Sequence, residues 1–166
     1  MPARLEYLID EAGWDVASTL AAVRQALEVV KPSVVRAETD IPWHKRDQWP
    51  PEVTDAALLL RDRYARDARH EDYQQTGVQL VDEDARDAFT IFAPYAYDCT
   101  LWGPDGELAS VNDEGTSLVL SLTEDERDRL RSALGPERVF SAAEWRARHS
   151  SRFGRLWQRL QGPRFR

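Results

Sequence analysis

The chain has 166 residues, a net charge of -7, and 42% hydrophobic against 31% charged residues, an ordinary balance for one domain with its own core. Its single cysteine excludes an internal disulfide framework and a cysteine-built zinc site. No apolar run approaches a membrane span and no signal-peptide pattern opens the chain, so a cytoplasmic location is expected.

Behind Pro2, the residues Leu5, Leu8, Ile9 and Ala12 form an apolar stripe before Gly13, which predicts a short first helix. Asp15 then caps a second helix, in which Val16, Leu20, Val23, Leu27 and Val30 recur at helical spacing up to Lys31-Pro32. From Ser33 to Pro51 the periodicity lapses into a loop, where Trp43 and Trp49 flank His44, Lys45 and Arg46. Aromatics beside cations can grip a peptide or stack bases. They also pin long loops to a protein body, which is the commoner use and the preferred reading.

Pro51 to about Gln75 reads as the longest helix, with Val53, Ala56, Ala57, Leu60, Tyr64 and Ala68 on its buried face. Gly77 ends it, and residues 78–81 suggest an edge strand before the acidic Asp82-Glu83-Asp84. The apolar run Ala88 to Phe92 reads as a strand, followed by strands at 97–102, 107–111 and 117–122. Pro104 and Gly106 suit a type I turn with a bulge. That register sets Leu101 opposite Ala109, Cys99 opposite Val111, Asp98 opposite Asn112 and Trp102 opposite Leu108. A matching three-residue turn at Asp113-Glu114-Gly115 sets Ala109 opposite Val119, leaving both sheet faces largely apolar and in need of cover.

Thr123 to Glu126 is a capping box for a helix running to Leu134 before Gly135-Pro136, and Val139-Phe140 is a brief extended piece. Ser141 and Glu144 form a second capping box. The helix it opens carries Trp145, His149, Phe153, Leu156, Trp157 and Leu160 at helical spacing, and Gly162-Pro163 stops it. Residues 146–166 hold seven arginines and no acid, so the remaining 145 residues carry a balance of -14. Such a split marks either a polyanion-binding tail or a basic end that docks on its own acidic body, the latter being preferred.

The expected architecture is therefore a single α+β domain over 1–166. Residues 1–76 would be mainly helical, 78–122 an antiparallel meander of three to five strands, and 124–161 helices packed on the sheet.

No motif names an activity. Acids near the meander, among them Asp82, Glu83, Asp84, Asp87, Asp98 and Glu107, diverge in the expected register instead of converging on a cation. Cys99 is placed inside a strand, and His44, His70 and His149 are on separate segments. No nucleophile elbow or phosphate-binding glycine loop occurs, and no cofactor or metal is expected.

The leading expectation is a protein-binding module without catalytic activity. An immunity- or antitoxin-like neutraliser fits by analogy of composition and shape alone. Contact is expected through Trp43, His44, Arg46 and Trp49, through the acidic rim at Asp82–Asp87 with Asp113 and Glu114, or through Arg148, Arg152, Arg155 and Arg159. The alternative is a nucleic-acid or anionic-surface binder using those four arginines. An enzyme with a carboxylate or Cys-His site is the third reading.

Overall fold

The computed structural model describes residues 3–64 and 72–148. Eight strands among them build an antiparallel sheet in the order β2-β5-β6-β7-β1-β8, with two short strands, β3 and β4, both lying along the free edge of β2. The strands are β1 (Leu5–Ile9), β2 (Arg36–Ile41), β3 (Gln74–Gln75), β4 (Gln79–Leu80), β5 (Asp98–Trp102), β6 (Glu107–Asn112), β7 (Ser117–Leu122) and β8 (Val139–Ser141). The helices are α1 (Val16–Val30), α2 (Pro51–Tyr64), α3 (Glu83–Phe92) and α4 (Glu124–Leu134), with a further helical stretch at 142–148. The fold is α+β, as the sequence implies.

Local capping chemistry forms as expected. Asp15 accepts from the Ser18 amide at 2.8 Å to start α1, Thr123 and Glu126 close a reciprocal box at α4, and Ser141 and Glu144 do so at residue 142. Glu126 does more. It is buried and takes a bidentate pair from Arg4 at 2.7 and 3.0 Å, tying the start of β1 to α4.

Four segments depart from the sequence reading. Residues 5–9 form a strand instead of a helix: Tyr7 and Ile9 point inward while Glu6 and Leu8 point outward, and β1 is hydrogen-bonded on both sides by β7 and β8. A five-residue apolar run fits both periods, and the two partner strands decide it. Residues 88–92 are helical instead of extended. Asp82 accepts from the Ala85 amide at 2.9 Å, and Ala85, Ala88, Phe89 and Phe92 then share one buried face.

The supposed loop at 33–51 contains β2, which with β1 and β3 adds strands to the first 76 residues. Finally, α2 is described only to Tyr64, and Gln74–Gln75 is strand instead of its end, because it pairs with Asp40 and Ile41 of β2.

The register is partly as expected. Asp98↔Asn112, Cys99↔Val111 and Leu101↔Ala109 hold, but a bulge after Leu101 sets Trp102 opposite Glu107. Asn112 pairs with Ser117, so the next turn has four residues and Ala109 meets Leu120 instead of Val119. That one-residue difference sorts the sheet. Ala37, Thr39, Cys99, Leu101, Ala109, Val111, Leu118, Leu120, Leu122, Tyr7, Ile9 and Val139 all share one face. This face joins Val23, Leu27, Val30, Phe89, Phe92 and Leu130 of the helices in the core. The opposite face is mixed: small hydroxyls, scattered acids, and the half-buried Leu8, Trp102, Val119 and Phe140.

Candidate functional site

After β2 the chain kinks at Pro42 and makes a tight 3-10 turn from Trp43 to Gln48. Both tryptophans face inward. Trp49 is 8% exposed and meets Phe92 edge-on with ring centroids 5.1 Å apart; Trp43 is 9% exposed, 5.7 Å from Trp49, and carries the Arg61 guanidinium over its ring at 4.8 Å. The pair belongs to the core cluster. Trp49 is thereby withdrawn from any partner, and Trp43 offers only the edge that lines the neighbouring cleft.

What the turn presents is His44, Arg46, Asp47 and Gln48, all exposed. The His44 backbone N–H and ring Nδ1 both approach the Asp72 carbonyl, at 3.2 and 3.1 Å. A carbonyl only accepts, so Nδ1 donates to it, while Nε2 lies within hydrogen-bond reach of the Tyr97 hydroxyl at 3.2 Å. On its other side the turn is held by Lys45, whose Nζ reaches Glu114 at 2.5 Å and lies 4.7 Å from the centre of the Tyr97 ring. The Glu114 carboxylate, and then Tyr97, raise the lysine pKa.

The acidic turn is fixed just as tightly. Asp113 and Glu114 have φ of 51° and 56°, and their amides donate to the Tyr97 and Ala96 carbonyls, both at 2.9 Å. Two surfaces that the sequence offered as alternatives, the Trp43–Trp49 turn and the Asp113-Glu114 turn, are thus one surface at a single end of the sheet. Lys45, which the sequence offers only as one of the cations between the two tryptophans, is the residue that joins them.

Beneath this surface lies Asp40, 4% exposed. It accepts from the Tyr97 and Asp98 amides at 2.8 and 3.1 Å and from the Tyr73 hydroxyl at 2.9 Å. Burial pushes its carboxyl above the ordinary range, against the pull of those three donors. Beside the turn opens a cleft of about 640 Å³ lined by Trp43, His44, Arg46, Asp47, Arg61, Asp72 and Gln74. The buried Gln74 Oε1 has no hydrogen-bond partner among the described residues. Sequence reasoning missed Asp40, Arg61, Tyr73, Gln74 and Tyr97, which come from four separate segments with no shared spacing.

The remaining candidates are dispersed. Asp82 caps α3 and, with Asp84, pairs with Arg63, while Asp87 pairs with Lys31, so much of the acidic rim is engaged within the fold. Arg148 reaches Asp10 at 3.4 Å and covers the Phe140 ring at 4.8 Å. Arg152, Arg155 and Arg159 lie outside the described residues, as do His70 and His149. Cys99 is fully buried, and burial raises its pKa, which makes its thiol a poor nucleophile. Among the described residues no group of three or more His, Cys, Asp or Glu side chains is placed to hold a metal ion, and no helix is long and apolar enough to cross a membrane.

Comparison of the chain with protein-family models, with curated proteins and with solved structures finds no match.

Proposed function

We propose that the protein is a binding module for another protein, acting without catalysis, through the end of the sheet where the 43–49 turn meets the Asp113-Glu114 turn. One observation carries this reading. The turn is fixed from three sides, by its two buried tryptophans, by the Asp72 carbonyl and by Glu114, yet His44, Arg46 and Asp47 stay exposed at the mouth of a cleft. A polar surface held in one shape needs little further ordering when a partner binds, so its contacts convert efficiently into affinity. Charged loops on a rigid scaffold are also the usual place for recognition. The sealed Cys99 weighs against a thiol-based enzyme. An immunity- or antitoxin-like neutraliser belongs within this reading, its target carrying charges complementary to Arg46 and Asp47.

The test is affinity capture from the host lysate at low and high salt, using the wild-type chain and Arg46→Glu, with protein and nucleic acid both quantified. The expected result is a stoichiometric protein that survives high salt on the wild type and is captured at least about tenfold less by Arg46→Glu, equivalent to ~1.4 kcal/mol. A protein held equally by both chains places the contact elsewhere. Nucleic acid alone, released by salt, replaces this reading with the polyanion-binding one.

A further inference from the structure

Strands β3 and β4 are two halves of one edge strand. Gln74 and Gln75 pair with Ile41 and Asp40, the Thr76 amide donates to the Thr39 carbonyl at 3.0 Å, and Gln79 and Leu80 pair with Ala37 and Arg36. Gly77 and Val78 therefore both stand opposite Glu38, a one-residue bulge in which Gly77 has a φ of 60°. The Val81 amide then reaches the Val35 carbonyl at 3.2 Å, so the strand runs the whole length of β2. Because Thr76 and Val81 bond inward, the alternation of an antiparallel ladder turns the N–H and C=O of Gln75 and Leu80 outward. Among the described residues no strand lies beyond them.

This edge is bare in two further ways. From Tyr73 to Val81 there is neither a charged residue nor a proline, in a chain that is 31% charged. Charge and proline are the usual guards of a free edge, and only the bulge remains here. Leu80 is 79% exposed, Val78 47% and Tyr73 38%, so three of the five exposed large hydrophobic side chains among the described residues line this one strand.

We propose that this edge pairs, antiparallel, with the same edge of a second copy of the chain. A two-fold contact sets the segment against itself, where a run of like charges would repel its own image; this run is neutral. At its ends the Asp72 side of one copy meets the Asp82 side of the other, and Arg63 already pairs Asp82 at 2.9 Å. Eight residues of strand span about 27 Å and only one strand's width. That is less than a standard interface, so the dimer is weak and reversible. Pairing uses up both edges and stops at two copies. The inference does not rest on the reading of the 43–49 turn as a partner surface.

Sedimentation of the full chain, from about 5 to about 500 µM at low and high salt, tests this across the range that a small interface populates. The expected result is a monomer–dimer equilibrium that strengthens with salt, because salt screens the repulsion between two chains of net charge -7. Leu80→Lys should weaken it at least about tenfold. Leu80→Pro removes the outward N–H while leaving the bonds to β2, and should weaken it as much. Both variants should keep the circular dichroism of the wild type. A wild type that stays monomeric throughout would overturn the proposal and leave the edge to another protein's strand or to water. So would a dimer equally strong in both variants, association that fades with salt, or growth beyond two copies.

Discussion

Asp40 is the residue on which opposing physical effects meet most directly. Burial favours its neutral form, while two backbone amides and a phenol favour the charged one; burial is the larger effect, so its folded pKa lies above the unfolded value. A group raised in this way contributes stability below its unfolded pKa of about 3.9 and loses that contribution as pH rises through the folded value. Asp40→Asn keeps an acceptor for the two amides and removes the ionisation. Urea unfolding should therefore show wild-type stability falling relative to Asp40→Asn as pH climbs from about 4 toward neutrality. A difference that grows in the wild type's favour would mean that the three donors outweigh burial. None of this was visible in the sequence, where Asp40 is one acid of 29. By contrast, His44, Arg46, Asp113 and Glu114 could be picked out because they belong to short stretches whose composition is unusual. Their meeting through Lys45 could not, because it spans 69 residues.

At the scale of elements, most of what is decided locally was read well, the Asp82-capped helix at 83–92 being the exception, and what depended on distant partners was not. The caps at Asp15, Thr123 and Ser141 are decided within four residues, and all three are present. The identity of 5–9 as strand is decided by residues more than a hundred positions away. The β6–β7 turn lies between these cases: its position was legible, but its four-residue length was not, because Asp113 and Glu114 adopt a conformation usually left to glycine or asparagine. Gly115 completes that turn with φ of 80°, and an added Cβ would come within 3.2 Å of the Pro94 carbonyl oxygen and 3.3 Å of Leu20. Gly13 has φ of 83° but open space around it. Both alanine variants should lose about 1–2 kcal/mol from the backbone conformation. Gly115→Ala should lose more than Gly13→Ala, and the gap between their denaturation midpoints measures the crowding alone. Equal losses would show that the turn yields without cost to Pro94.

The whole molecule has one thiol, and it faces the core from β5, between β2 and β6. Cys99 pairs with Val111 and Thr39 and has no accessible surface, so a thiol reagent reaches it only when the strands open. In native buffer the rate of modification should fall well below that of an exposed cysteine and should rise with denaturant in step with global unfolding. Stoichiometric reaction within the mixing time would contradict the packing described above. The surrounding strand pattern pointed to a buried Cys99, and the α+β class was legible from turns and caps; the strand order was not, because nothing in a sequence announces which distant strands will be neighbours.

That order has a consequence for how the protein is made. Strand β1 leaves the ribosome before the other described strands, and both of its neighbours lie near the other end of the described chain, Leu5 lying against Leu122 and Ile9 against Val139. Until β7 and β8 are translated, β1 has neither hydrogen-bonding partner, and the inner-facing Tyr7 and Ile9 have no completed sheet to occupy. Contacts of such long sequence separation form slowly, and an early strand kept waiting is a natural client for the chaperones that attend nascent chains.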